Sequence, residues 1–522
     1  MLTQLRIQNF KAWQDTGPIR LAPLTVIFGA NSAGKSSLGQ LMLALQQTAR
    51  RTERRPALFL GDAGSPIDLG GFVDCIHGRD LNRALAFEIG WQLPAPLALG
   101  DPCHPRAHYR GEQMRLAVEL QADPQAQPEV RRLHYELLTR RQPVLDVSWC
   151  RDPVSNQTYR LNTSRYPLQR AERRPWPLQA PEKFYRLSER CVARYENAGF
   201  LTDFALATEA MLDGIHYLGP FRHRPQRQHG WDGQTPTSVG QMGEHTIGAL
   251  LSAQAAGRRL ACRAGEEPQR FGEFIAGWLQ QLGIIHGFSV HPTDRHRGFE
   301  VRIRTSPHLP EVPISDVGFG VSQLLPALVQ AFYVPPDSTV WIEQPEIHLH
   351  PQVQAELADV FICAIQATEN GLPRNTQLVL ESHSEYFLNR LQRRVAEGSI
   401  EADQVAVYFC RRSGDHAELD PLRLNAYGEI ENWPENFFGD EMADIAGRSL
   451  AALQRKRRQR EEPAVHGQKH EAREHEAHDR GLRNHPRHHD ATERLPSSAD
   501  ERAPGDARTP AQHTPQQPCE PS

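Results

Sequence analysis

Between Leu24 and Leu45 the chain passes from a short apolar run, Leu24-Thr25-Val26-Ile27-Phe28, through Gly29-Ala30-Asn31-Ser32-Ala33-Gly34-Lys35-Ser36. It then enters a segment whose apolar residues Leu38, Leu41, Met42 and Leu45 recur at helical spacing. That order predicts a buried strand ending at Gly29, a glycine loop, and a helix that stops in the basic stretch Arg50 to Pro56. The loop fits G-x-x-x-x-G-K-[ST] in the strand-to-helix context that gives the pattern its meaning. Its backbone N–H groups and the helix N-terminus present partial positive charge to phosphates, and the glycines allow close approach. Lys35 reaches the β and γ oxygens, and the Ser36 hydroxyl ligates Mg²⁺. Lysine is scarce here, occurring only at positions 11, 35, 183, 456 and 469, so Lys35 is not background. The candidate phosphate-binding residues are Gly29, Asn31, Ser32, Ala33, Gly34, Lys35, Ser36 and Ser37.

The 522 residues exceed a minimal module, at about 150 residues per domain. Basic and acidic residues nearly cancel, 59 against 63, which argues against a uniformly basic nucleic-acid coat while leaving room for local patches. Three arginine clusters, Arg50 to Arg55, Arg165 to Arg174 and Arg455 to Arg460, are candidate patches, although such runs are more often solvated faces. No run of about 18 uncharged apolar residues occurs and the N-terminus lacks a signal-peptide core, so the expected location is cytoplasmic, away from membranes. The eight cysteines lie far apart without a CxxC pair. The expectation is reduced, mostly buried thiols and neither a disulfide framework nor a zinc site.

The first thirty residues alternate as a β-hairpin followed by the strand that ends at Gly29. From about 85 to 165, short alternating runs between Pro, Gly and Asp clusters predict antiparallel sheet, and helical patterns cover about 182–213 and 245–283. A two-strand pattern follows at Gly287 to His291 and Gly298 to Ile303. From Glu461 onward the chain is rich in His, Arg, Glu, Pro and Gln and almost empty of large apolar residues, which predicts a disordered tail. Its histidines are irregularly spaced, and a solvated tail is favoured over a metal site.

Three further segments carry chemistry. Val340-Trp341-Ile342-Glu343-Gln344-Pro345-Glu346 is a buried strand ending in carboxylates, where a second strand delivers an acid to the magnesium shell, and Glu343 is the candidate metal ligand beside Ser36. Gln344 can orient a water but cannot accept its proton, and Glu346 is either a substitute base or the cap of the following turn. Upstream, Val317-Gly318-Phe319-Gly320-Val321-Ser322 opens an apolar helix and forms a second anion-binding end, with Gly318, Gly320 and Ser322 as its candidate residues. Downstream, Gln377-Leu378-Val379-Leu380-Glu381-Ser382-His383 is a third buried strand, with His383 placed for a γ-phosphate or an attacking water.

In this order the segments resemble an ABC-type ATPase of the RecF, SMC and OLD-like branch, catalogued among AAA-family ATPases. The resemblance rests on LTQLRIQNFKAW, GANSAGKSS, VGFGVSQLLPAL, VWIEQPEIHLHP and LVLESHSEYFLNRL. A closer subgroup shares EQPE-x-HLHP, the YLGPFR element from Tyr217 to Arg222, and the WPENFF stretch from Trp433 to Phe438 within a C-terminal domain of unknown function. The similarity spans about residues 1–455. It implies an α/β P-loop NTPase head with an antiparallel β lobe, a β-rich and helical insertion and a disordered C-terminal tail. Residues 1–84 and 311–400 would be the two ATPase halves, 85–310 the insertion, 401–460 a small C-terminal domain and 461–522 the tail.

The resemblance also implies ATP and Mg²⁺ as ligands, and a homodimer closing around two ATPs with the P-loop of one subunit facing Gly318, Gly320 and Ser322 of the other. His383 would be the switch histidine. Two departures stand out: the signature is not LSGGQ, and Gln344 occupies the place of the water-activating acid, which implies slow turnover. Related ATPases act in DNA maintenance and, as in Septu-type systems, in phage defence beside a nuclease. No Toprim-like set of acids occurs between Gln404 and Asp440, and no HNH cluster is evident, so cutting of DNA would fall to a partner nuclease. Asp440, Glu441 and Asp444 read as a solvated helix start. The alternative reading is a nucleotide-binding structural sensor with negligible turnover. An importer's ATP subunit is disfavoured by the long β-rich insertion.

Overall fold

The strands that carry the glycine loop and the two acidic motifs lie side by side in parallel. In this computed structural model, which describes residues 1–152, 158–171, 177–293, 298–434, 437 and 446–457, the sheet order runs from Ile215–Leu218 to Thr339–Glu343, Gln377–Glu381, Leu24–Gly29 and Val405–Ser413. These are called below the edge, acidic, histidine, P-loop and C-terminal strands. Parallel strands covered on both faces should be mainly apolar in their centres, as Val26 to Phe28, Val340 to Ile342, Leu378 to Leu380 and Val405 to Phe409 are. Val26, Phe28, Val340 and Ile342 enter one apolar core while Ile27 and Trp341 enter the other. The helix Lys35–Arg50 packs Leu38, Leu41, Met42 and Leu45 on the Ile27 and Trp341 side. Helices Phe319–Tyr333 and Pro351–Gln366 cover the opposite face through Leu324, Leu328, Leu357 and Phe361.

The same sheet continues into an antiparallel arm. The C-terminal strand pairs with His416–Leu422, which meets Trp13–Asp15 and then Leu2–Phe10. From there Leu85–Asp101, His104–Ala122, Pro128–Thr139, Gln142–Arg151 and Tyr159–Asn162 follow in simple antiparallel succession, and with Ile19–Arg20, which pairs with Leu2–Phe10 off this path, they give 14 strands among the described residues. Each expected run of the 85–165 region is a strand, and most are longer than their apolar alternation because polar residues extend them into solvent. The fold is therefore the mixed α/β head with a β lobe that the sequence predicts.

Three expectations change. The helical pattern at 182–213 condenses to Glu189–Val192 and Phe200–Asp213, and that at 245–283 to Thr246–Ala255 and Phe271–Gln281. The second pair is separated by Gly257, at φ 65°, and by a short antiparallel strand Arg259–Ala261, so the apolar spacing there is carried by a turn and a strand. Cys262 and Cys363 form a disulfide, with Cα atoms 4.9 Å apart, which overturns the expectation of reduced thiols throughout. The pairing of Arg259–Ala261 with Thr368–Glu369 brings the end of helix Pro351–Gln366 beside Cys262, a proximity across 101 residues that no spacing rule reveals. Cys75, Cys191 and Cys410 are buried thiols, as expected.

Among the described residues no helix is long and apolar enough to cross a membrane. Residues 446–457 are helical. The tail from 461 with its histidines, together with Asp440, Glu441, Asp444 and part of WPENFF, lies outside the described residues.

Candidate functional site

The loop after Gly29 is built on left-handed backbone: Gly29 at φ 142°, Ser32 at 60° and Gly34 at 109°. A Cβ on Gly29 would stand 2.0 Å from the Cys410 carbonyl oxygen of the neighbouring strand, so only glycine fits this register. Asn31 and Ser32 are exposed at the loop tip, and Ala33 is buried, its carbonyl accepting from Cys410 Sγ at 3.1 Å. Trp13 Nε1 donates to Gly34 O at 3.2 Å and to Ser37 Oγ at 2.8 Å, so the Ser37 hydroxyl is engaged behind the loop. Lys35 Nζ is buried and folded back, donating to Gly29 O and Ala30 O at 2.8 Å each. Burial lowers its pKa, against the pull of Glu381 and other nearby acids.

In-register pairing places Glu343 directly opposite Glu381 at the ends of the acidic and histidine strands. Both reach the first turn of the P-loop helix: Ser36 Oγ stands 2.8 Å from Glu343 Oε2 and 2.9 Å from Glu381 Oε2. A single hydroxyl can donate to only one of two carboxylates, so three hard oxygens converge on one point. That donor set fits an oxygen-liganded Mg²⁺, which takes a few protein oxygens and completes its shell with water and phosphate. Burial, with Glu343 adding repulsion, raises the Glu381 pKa to about 8. Glu381 also accepts from Trp341 Nε1 at 2.9 Å. Trp341 itself lies under Gly39 of the P-loop helix, where a Cβ would stand 3.0 Å from the indole nitrogen.

Beyond the acidic strand, Gln344 adopts φ 46° and donates its N–H to Glu381 O at 2.8 Å. The Glu346 side chain reaches across to the loop after the histidine strand. Its Oε1 accepts from Ser382 Oγ at 2.9 Å and from the His383 N–H at 2.6 Å, clamping the loop that presents His383. Its Oε2 is buried without a hydrogen-bond partner, and burial raises its pKa. The His383 imidazole is lowered to about 4 by burial and by Lys35, so it is neutral at pH 7.

Lys35, Ser36, Glu343, Glu346 and His383 thus gather at one end of the parallel strands. Gly318, Gly320 and Ser322 open helix Phe319–Tyr333, with a Cβ on Gly320 reaching Leu349 at 3.5 Å. Sequence reasoning passed over Glu381, quoted in its strand but given no role. The signal was an acid at a strand end one pairing away from Glu343. Tyr217 and Arg222 of the YLGPFR element were also left without a role. The Tyr217 hydroxyl donates to Glu343 Oε1 and Arg222 Nη2 to Glu343 O at 3.0 Å.

In the first arginine cluster, Arg50 pairs with Asp213, Arg51 with Glu53 and Asp62, and Arg54 with Glu182 and Glu189, so internal acids already meet much of its charge. The other two clusters are only partly described.

The fold and this loop-and-acid arrangement support a P-loop protein of the ABC/AAA type. Residues 255–389 match the family described as "AAA domain, putative AbiEii toxin, Type IV TA system", and residues 400–447 match a protein family of unknown function, DUF3696. No match was found among curated proteins. Solved structures similar over 81% of this chain include an SMC head bound to the C-terminal winged-helix domain of ScpA, at 12% identity, TM-score 0.36 and 98% of that chain. The SMC head domain from Thermotoga maritima aligns over the same 81% of this chain at 11% identity, TM-score 0.34 and 98% of its own length. An SMC head with an extended coiled coil, bound to the C-terminal domain of ScpA derived from Pyrococcus furiosus, also aligns over 81%, at 11% identity, TM-score 0.34 and 96% of that chain.

Proposed function

We propose that the chain is an ATP-binding and ATP-hydrolysing switch that works as a nucleotide-gated homodimer. The observation that carries this reading is the meeting of the Ser36 hydroxyl with the Glu343 carboxylate at 2.8 Å, across 307 residues of sequence. Lys35 exchanges its two carbonyl contacts for phosphate oxygens, a rotation of one flexible side chain. Ser36 and Glu343 would hold Mg²⁺, which would neutralise charge on the phosphate oxygens when bound. Neutral His383 donates one ring N–H toward the terminal phosphate. Gln344 orients the attacking water, and Glu346, whose raised pKa and unpartnered Oε2 suit proton acceptance, takes its proton. Gly318, Gly320 and Ser322 complete the partner copy's site, which gives ATP its leverage over dimerisation.

A role in DNA maintenance or in phage defence beside a partner nuclease extends this reading, and the AbiEii description of the matched family favours defence. Mg²⁺-dependent phosphate release by the purified chain, with sizing in ATP, tests it: Lys35→Ala should abolish release, and undiminished release refutes the site. Gln344 supports a second reading, a nucleotide sensor with negligible turnover. Wild-type turnover of several per minute, with Gln344→Glu no faster, removes that alternative.

A further inference from the structure

The YLGPFR element enters none of the roles above, although it lies against the acidic strand. The edge strand pairs Tyr217 with Trp341 and Leu218 with Ile342. The chain then passes Gly219 and Pro220, exposes Phe221 at 79%, and buries Arg222 at 7%. Arg222 Nη2 donates to the Glu343 carbonyl, whereas Nε and Nη1 are buried with no hydrogen-bond partner. Unmet donors on a buried cation are costly to leave unpaired. A strut for one carbonyl needs only a neutral donor. A guanidinium keeps its charge at neutral pH, so the buried donor here is a cation.

Position narrows what the two idle donors take. The P-loop amides and Lys35 follow the P-loop strand, while Arg222 follows the edge strand, with the histidine and acidic strands between them. Neighbouring strands stand about 4.8 Å apart. A polyphosphate cradled by the loop and laid across those strands would bring only its distal end toward Arg222, and a planar guanidinium fork suits phosphoryl oxygens.

We propose that Arg222 binds the terminal phosphate of a nucleoside triphosphate through Nε and Nη1, reading the phosphate that distinguishes a triphosphate from a diphosphate. This rests on the nucleotide-binding reading above. Calorimetric titration of the full chain with Mg²⁺ plus ADP, and with Mg²⁺ plus a non-hydrolysable ATP analogue, tests it in wild type, Arg222→Gln and Arg222→Lys. Arg222→Gln should weaken the triphosphate analogue by about tenfold or more while ADP changes less than about twofold, and Arg222→Lys should fall between. Equal losses for both nucleotides, or no loss for either, overturn the assignment in favour of a structural strut. If Arg222→Gln does not fold, Arg222→Lys decides by the same comparison. A wild type that binds neither nucleotide instead overturns the nucleotide reading itself, and the Arg222 assignment falls with it.

Discussion

Glu343 and Glu381 are register partners on adjacent parallel strands, and their Oε2 atoms approach the one Ser36 hydroxyl at 2.8 and 2.9 Å. Two buried acids on one hydroxyl disfavour a doubly charged pair in the absence of a cation. Glu381→Gln removes one of the two carboxylates that converge on Ser36 and should weaken Mn²⁺ binding, followed by electron paramagnetic resonance, by about tenfold. Unchanged Mn²⁺ affinity would place Glu381 outside the metal shell.

The same pair sets a pH dependence for the cation-free protein. The Glu381 pKa rises from 4.5 to about 8 on folding, so between those values the native state holds more proton than the unfolded chain, and stability falls as pH rises. His383 acts oppositely: lowered from 6.5 to about 4, it removes stability as pH falls through that window. Above pH 6.5 only the Glu381 effect of these two remains. Melting temperature without divalent ions should therefore drop between pH 6.5 and 8, and Glu381→Gln should flatten that slope.

Lys35 holds two loop carbonyls at 2.8 Å, which keeps its ammonium buried and ready. Lys35→Ala should reduce ATP affinity by about 100-fold, as loss of a charged phosphate contact does, while leaving the melting temperature within a few degrees. Fluorescent-nucleotide titration beside calorimetric melting separates the two effects.

Gly39 is the close-approach point of the P-loop helix, since a Cβ there would press on Trp341, the residue that donates to Glu381. Gly39→Ala should force the indole to shift and destabilise the fold by about 1–3 kcal/mol, despite alanine's better helix propensity. A chemical-denaturation midpoint no lower than wild type would refute that packing argument.

The Cys262–Cys363 bridge closes a loop across 101 residues. Cys262→Ser should lower stability by about 2–5 kcal/mol. Denaturation with and without a thiol reductant checks this, because the variant should lose its response to reductant.

The residues themselves determined the strand, loop and helix around Lys35, the apolar strands ending at Glu343 and Glu381, and the antiparallel arm. Each of these is dictated by local periodicity, by glycine's tolerance of positive φ, or by a loop whose amides suit phosphate. The WPENFF stretch was legible only as a motif, since much of it lies outside the described residues. Three-dimensional packing alone decided that Glu381 faces Glu343 across one hydroxyl, that Arg222 is buried behind the acidic strand with two donors unspent, and that Cys262 meets Cys363. Those relationships join segments about 40 to 120 residues apart, and strand register and crossover topology, which no short-range pattern encodes, are what bring them together.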